Sequence, residues 1–365
     1  MVNKRSRRTA LWGLFLAVFV TIALASCGSS KSEEPAAAES STAAPETGKS
    51  TLELVKERGK VIVGVTAGIP GYSAPDSEGI WQGFDVDLGR AVAAAVLGDP
   101  DAIECRPLSA KERFTALQSG EIDVLVRVTT WTATRDSQLG VNFSGVNYYD
   151  GQGFMVAKGS GITSLADLDG ATVAVQSGTT TELNLSDYFR KNNMDFELIT
   201  FEKNDQASAA LEAGRADAVT SDQSQLYALR TKFKEPENFI MLPELISKEP
   251  LGPVVRQGDD EWFNIVKWAL FAMLNAEEYG ITSDNVDEMK ETSDNPNVKR
   301  LLGSEGGVWE GFGLENNAGY NIIKYIGNYG ESFERNLGSG SPLNISRGLN
   351  ALWTKGGIQY GMPIR

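Results

Sequence analysis

The sequence predicts an α/β protein of two lobes, each a sheet flanked by helices, with parallel strands. Two observations carry this. A phrase of helix end, glycine, two-residue link, aspartate and strand runs from Ala116 to Leu125, and it returns from Ala210 to Val219. A β-branched run entering a glycine loop stands ahead of each copy, Val61 to Gly68 and then Thr172 to Gly178. Both features in the same order fit two units on one strand–helix–strand plan. The length of 365 residues suits roughly two domains. With 41% hydrophobic and 22% charged residues, the chain can build a sizeable core.

Residues 1–26 read as an export signal. Lys4, Arg5, Arg7 and Arg8 make a positive start, and Ala10 to Ala25 is almost unbroken apolar. That run is shorter than the ~20 residues that span a bilayer, and suits a secretory apolar core. An uncleaved signal anchor is the alternative. Leu24-Ala25-Ser26-Cys27 resembles the lipobox of bacterial exported lipoproteins, which implies cleavage before Cys27, lipidation of Cys27 and a membrane anchor. Residues 27–50 form the lipidated cysteine and a linker. From Gly28 to Ser50 the chain is rich in Ser, Ala, Glu, Thr and Pro and reads as a disordered tether. Cys105 is then without a partner in the chain, and packing is its expected role.

Lys60 to Val65 reads as a buried strand. Gly83-Phe84-Asp85-Val86-Asp87-Leu88 opens a helix that stops at Gly98. Ser109 to Glu112 is a capping-box pattern starting a helix that carries Phe114 and Leu117 and ends at Gly120. Val124 to Val126 reads as the next strand. Thr179 to Glu182 is a second capping box, which places Gly178 and three threonines at a helix N-terminus. Asp259-Asp260 opens an apolar helix through Trp262, Ile265, Val266 and Ala269 that packs on the first lobe. Ile322, Ile323, Ile326 and Tyr329 at helical spacing suggest a packed C-terminal extension.

The formal net charge is −14, with no histidine and two cysteines. No imidazole-based catalysis, His-bearing zinc motif or Cys-only zinc site can be built from this inventory. No catalytic residue, metal or cofactor is expected. Acidity excludes nucleic acid, which requires clustered Lys and Arg. In open α/β sheets ligands sit beyond the carboxyl ends of the strands, and two facing lobes place two such edges across a cleft. One edge carries Arg127 to Arg135; the other carries Gln176 to Glu182 and Thr220 to Gln223. Arg135 offers a fork for a carboxylate, helped by N–H groups and threonine hydroxyls. Asp222 can accept from an ammonium. Together they form a candidate clamp for a free amino acid. The alternatives are a solvated Arg135–Asp136 pair, a turn or cap role for Asp222, and a purely capping role for the threonines.

These residues resemble the solute-binding proteins of polar amino acid ABC transporters. Gly83 to Leu88, Ala116 to Asp123, Thr130 to Arg135, Gly178 to Glu182 and Gly214 to Asp222 stand in that family's order. Longer stretches, Pro107 to Asp123, Tyr148 to Met155, Arg347 to Trp353 and Lys355 to Gly361, are similar to its general L-amino-acid-binding branch. The resemblance implies a two-lobed periplasmic-binding-protein type II fold with a two-strand hinge. Lobe 1 would span 51–149 and be completed by 251–365, which also carries the extension; lobe 2 would be 150–250.

By position, Arg135 matches the arginine that pairs with the ligand carboxylate. Val128 and Thr180, beside Thr179, match positions whose backbone N–H groups bind it. Asp222 matches the acid on the α-ammonium, Thr130 a hydroxyl and Arg127 a backbone carbonyl on the same group. Members specialised for cationic side chains carry an acid where this chain has Thr66, and usually a small polar residue where it has Arg127. An Arg127 side chain in the pocket would favour acidic or neutral polar ligands; otherwise it points away. Glutamate, glutamine, aspartate and asparagine are the expected set. Tyr72, Trp81 and Trp131 are either pocket walls or core.

The implied function is capture by lobe closure and delivery to a membrane permease, by an exported, lipid-anchored monomer. The competing readings are an amino acid sensor for a membrane partner, and a dehydratase-like enzyme on the same fold.

Overall fold

The computed structural model describes residues 48–365, so the signal segment, Cys27 and most of the linker lie outside the described residues. A capping box between Ser50 and Glu53 starts helix α1 (Thr51–Arg58). Then follow β1 (Val61–Val65), the short hairpin β2 (Ala74–Pro75) and β3 (Trp81–Gln82), α2 (Phe84–Leu97), β4 (Ile103–Pro107), α3 (Arg113–Gln118), β5 (Val124–Leu125), α4 (Ala133–Gln138) and β6 (Val141–Phe143). After β7 (Tyr148–Asp150) come β8 (Gln152–Ala157), β9 (Ala171–Gln176), α5 (Thr180–Asn192), β10 (Phe196–Phe201), α6 (Asn204–Glu212), β11 (Ala218–Asp222), α7 (Gln223–Arg230) and β12 (Phe239–Met241). The remainder is β13 (Glu249–Leu251), β14 (Val254–Arg256) and α8 (Asp260–Glu278), then α9 (Val286–Thr292), α10 (Pro296–Leu301), α11 (Ala318–Ile326) and α12 (Tyr329–Asn336).

Two sheets share one plan. The first has the order β4-β1-β5-β14-β6, in which β1 is parallel to β4 and β5 while β14 is antiparallel to β5 and β6. The second has the order β10-β9-β11-β8-β12, in which β9 is parallel to β10 and β11 while β8 is antiparallel to β11 and β12. The repeated aspartate does the same work in both. Asp123 Oδ2 accepts from the N–H of Ile62 at 2.7 Å, and Asp217 Oδ2 accepts from that of Thr172 at 2.8 Å. Each thereby pins the start of the neighbouring parallel strand, β1 in the first sheet and β9 in the second. The glycines that stop the preceding helices, Gly120 (φ 77°) and Gly214 (φ 67°), take the left-handed conformation this turn demands.

The chain crosses from one sheet to the other from β7 to β8 and returns from β13 to β14. Strands β7 and β13 pair antiparallel, Glu249 opposite Asp150 and Leu251 opposite Tyr148. The first lobe has the larger core, where α2, α8, α11 and α12 bury Trp262, Trp309, Tyr329 and Phe333. Asp259 caps α8 by accepting from the Trp262 N–H at 3.0 Å. The C-terminal residues are packed: Ile322, Ile323 and Ile326 join that core, and Asp87 accepts from Ser332 and Asn336, both at 2.7 Å. In the second lobe, Phe154, Val173 and Val175 face one cluster and Met155, Ala174 and Val219 the other, the period-two alternation of a covered sheet.

One expected boundary moves. Ser109 and Glu112 exchange the capping-box bonds at 3.1 and 3.2 Å, but they close a turn ahead of the helix, which starts at Arg113.

Candidate functional site

The carboxyl ends of β1, β5, β9 and β11 meet across a cleft whose walls touch. Tyr72 of the first lobe donates its hydroxyl to Ser224 Oγ of the second at 2.6 Å, and Lys232 Nζ donates to the carbonyl of Gly68 at 2.6 Å. Tyr72 is therefore a lobe-to-lobe contact. Trp131 stacks on Phe143 with centroids 5.6 Å apart and is partly exposed, and half-buried Trp81 packs on the first core.

Arg135 lies in α4, whose N-cap Thr132 accepts from the Arg135 N–H at 3.2 Å. Its guanidinium is buried, donates Nη1 to the carbonyl of Thr130 at 2.5 Å and lies 5.2 Å from the Phe114 ring centroid. Asp136 accepts from the Trp131 indole instead, so no Arg135–Asp136 pair forms. Burial pulls the Arg135 pKa down, opposed by the charges of Glu249 and Asp222.

Asp222 ends β11 and is the N-cap residue of α7, but its side chain makes no capping bond. It is 4% exposed; Gln225 donates to Oδ2, while buried Oδ1 has no partner. Burial pushes its pKa well up, and the nearby charges of Asp150 and Glu249 push it further. A buried acid with an orphaned oxygen is strongly improved by a cation.

Thr179 is the N-cap of α5, accepting from the Glu182 N–H at 3.2 Å. Glu182 returns its bond to Gly178, at 2.8 Å, rather than to Thr179. The N–H groups of Thr180 and Thr181 make no backbone bond among the described residues and point from the first turn as free donors. The Thr180 hydroxyl donates to Glu249 Oε2 at 3.0 Å, and Thr130, across the cleft, donates to the same oxygen at 2.6 Å.

One expectation needs correction. The Val128 N–H, expected to face a ligand carboxylate, donates to Asp85 Oδ2 at 3.0 Å. Val128 has φ 41°, and this left-handed turn swings its amide toward the buried acid. The carbonyl of Arg127, expected for an ammonium, accepts from the Thr129 hydroxyl at 2.9 Å and keeps a second lone pair. The Arg127 side chain does enter the cleft. It is buried, donates Nε to the carbonyl of Leu108 at 2.9 Å, and its pKa is drawn down to about 10 by burial. Asp85, pushed up to about 7 by burial, is the acid that faces it.

Sequence reasoning missed three participants. Glu249 approaches from the hinge, Asp150 from the strand paired with it, and Arg113 from the first turn of α3. Arg113 was readable only as a polar neighbour of Phe114 and Leu117. Beside Arg127 lies a cavity of about 350 Å³ between the lobes, lined also by Thr66, Leu108, Ser109, Gln176 and Asn204.

A two-lobed α/β body with a two-strand hinge, and opposite charges buried on the two facing edges, defines a ligand-binding protein that encloses its guest. The chain belongs to the bacterial extracellular solute-binding proteins, family 3, whose pattern it matches over residues 61–285. That is a family of binding proteins, and its similar members are transporter components rather than enzymes. The chain is 60% identical over 317 residues to the general L-amino acid-binding periplasmic protein AapJ of Rhizobium johnstonii, covering 86% of this chain and 93% of that one. It is 49% identical over 316 residues to the glutamate/glutamine/aspartate/asparagine-binding protein BztA of Rhodobacter capsulatus, covering 87% and 94%. Among solved structures, a periplasmic binding protein from Brucella ovis with glutathione bound matches with a TM-score of 0.85 and 55% identity, over 87% of this chain and 100% of that one.

Proposed function

We propose that this protein is the extracytoplasmic component of an ABC transporter that captures polar L-amino acids and delivers them to a membrane permease. The observation that carries the reading is the pairing across the cleft of Arg135, buried on one lobe, with Asp222, whose Oδ1 is buried and unmet on the other. In this reading Arg135 and the free N–H groups of Thr180 and Thr181 take the α-carboxylate. Asp222, with the Thr130 hydroxyl, takes the α-ammonium. Thr179 holds the helix start in place.

The moving bodies are residues 51–149 with 251–365, and residues 150–250. A ligand touching both edges favours the closed state by its differential affinity for that state. Exclusion of water then strengthens each charge contact. The relatives' names support glutamate, glutamine, aspartate and asparagine as ligands, and export to the periplasm. Lipidation at Cys27, after removal of residues 1–26, would hold the monomer at the membrane surface.

The cavity beside Arg127 favours a second, wider reading: an amino acid extended at its side chain, as in the glutathione of the Brucella ovis relative. Calorimetry of the unfolded and refolded protein against the twenty amino acids and glutathione tests both. Binding of polar amino acids is expected. Failure of every amino acid to bind refutes the main reading.

A further inference from the structure

We propose that Asp85 is a positioning residue of the ammonium site. From the first turn of α2 it turns the peptide between Arg127 and Val128, so that the Arg127 carbonyl is presented to the α-ammonium of the ligand. This rests on the zwitterion clamp proposed above, and adds to it a residue that never touches the ligand.

The first observation is where the Asp85 side chain goes. An acid in the first turn of a helix commonly serves only its own helix end. Asp85, 2% exposed, bonds elsewhere: Oδ2 accepts from the Val128 N–H at 3.0 Å and Oδ1 from the Asn147 amide at 3.4 Å. Both partners lie outside α2, one in the loop after β5 and one just ahead of the hinge strand β7.

The second observation is the backbone of Val128. Among the described residues, three that are not glycine have positive φ: Val128 at 41°, Asn193 at 53° and Asn344 at 46°. Asparagine enters this region readily; a β-branched residue does not. Such strain persists only where the surroundings impose it. Here Asp85 holds the Val128 N–H, and one residue on, the Thr129 carbonyl accepts from the Gly252 N–H at 3.0 Å.

The third observation is the peptide plane. The Arg127–Val128 bond is trans, so its C=O points opposite to its N–H. The bond that draws the Val128 N–H toward α2 therefore sends the Arg127 carbonyl away from α2. The Thr129 hydroxyl takes one lone pair of that carbonyl and leaves the other. A peptide whose N–H is bonded to a carboxylate is also polarised, which makes its carbonyl a better acceptor for a cation.

Asp85 is itself firmly placed. Its N–H donates to the Tyr72 carbonyl at 3.0 Å, and a Cβ on the preceding helix cap, Gly83, would stand 2.3 Å from that carbonyl oxygen. Asn147 is fixed at the hinge, donating its N–H to the Leu251 carbonyl at 2.9 Å and accepting from Tyr329 at 2.8 Å.

The test compares Asp85→Ala with Asp85→Asn, each refolded free of ligand, by calorimetry with L-glutamine and by hydrogen exchange of the Val128 amide. Asparagine keeps an oxygen for the Val128 N–H, and Asn147 can turn its own amide over to meet the new NH2 group. Asp85→Ala should lower glutamine affinity at least about tenfold and Asp85→Asn less than about threefold, because only alanine leaves the amide unheld. The Val128 amide should exchange slowly in the unsubstituted protein and in Asp85→Asn, and fast in Asp85→Ala. Unchanged affinity in Asp85→Ala, or equal losses in the two variants, overturns the positioning role and leaves the clamp standing. Should Asp85→Ala not fold, the other two proteins decide: a large loss in Asp85→Asn, or a Val128 amide that exchanges freely in the unsubstituted protein, overturns it. Glutamine that fails to bind the unsubstituted protein overturns the clamp reading and this inference with it.

Discussion

Thr130 on the first lobe gives its hydroxyl proton to Glu249 on the hinge strand, at 2.6 Å. A hydroxyl has a single proton, so this bond leaves only lone pairs to face the cleft. Thr130 is thereby fixed as an acceptor, which is what an ammonium needs. Glu249 is held in turn by Thr180 at 3.0 Å, Asn184 at 2.7 Å and Ser247 at 2.5 Å, so one carboxylate links the two lobes and the hinge. Glu249→Gln removes the charge and sets an amide donor against those donors. Amino acid affinity should fall by about 1–3 kcal/mol, read by calorimetry. A loss below about threefold would refute this positioning role.

Arg135→Ala and Asp222→Asn each leave one ionic end of the ligand unpaired in a closed, water-poor cleft. Each should weaken binding by about 2–5 kcal/mol. The two losses should fall well short of adding in the double variant, because both residues act on one ligand. Unchanged affinity in either single variant would remove that residue from the site.

Proton linkage follows from the acids around the ammonium position. Asp222 is raised well above the usual carboxylate range by burial and by Asp150 and Glu249, and Asp150 is itself pushed up to about 6 by burial. Gln225 and Arg113 oppose the rise at Asp222 without cancelling it. An acid with a raised pKa holds its proton in the empty cleft, while an ammonium requires the carboxylate. Binding below that pKa therefore releases a proton. Affinity should rise with pH, by at most about tenfold per unit for one proton, and level off above the raised pKa. Calorimetry in buffers of different ionisation enthalpy counts the protons. The release should shrink in Asp222→Asn, and affinity that ignores pH would contradict the assignment.

The Arg127 side chain offers a test of ranking rather than of binding itself. Arg127→Ser should narrow the gap between acidic and neutral ligands while leaving the clamp intact. Competition assays should then show glutamate losing ground to glutamine. An unaltered ranking would mean that the guanidinium serves only Leu108 and Asp85.

The parts of the fold that could be read from the sequence are those built by local rules. The Gly120–Asp123 and Gly214–Asp217 turns are made of adjacent residues, and the side chains of Asp123 and Asp217 complete the same bond in each lobe. Asp222 ends a strand and Arg135 lies on the short helix after one, both at the strand edge to which the repeated pattern already directs attention. Arg113 and Glu249 gave no such signal. Arg113 is one polar residue in an amphipathic turn, and its place beside Arg127 and Arg135 exists only once those arrive from elsewhere in the chain. Glu249 has its meaning from Thr130 and Thr180, which lie 119 and 69 residues away. The amide of Val128 was misassigned for the same reason: Asp85 reaches it from a helix 43 residues earlier.

The C-terminal extension acts on the hinge. The Asn350 side chain accepts from the Tyr149 N–H at 2.7 Å and donates to the Tyr149 carbonyl at 3.1 Å, as a neighbouring strand would. Tyr329 donates to the Asn147 carbonyl at 2.8 Å just before that strand. Since β7 pairs among the described residues only with β13, its other edge would otherwise present unmet backbone groups. Asn350→Ala removes the amide that imitates a peptide group and should lower unfolding stability by about 1–3 kcal/mol. Denaturant unfolding followed with and without ligand measures it. The loss should appear in both titrations, because the bond lies at the hinge and not against the ligand. A variant as stable as the parent would mean that the extension packs on the first lobe without bracing the crossover.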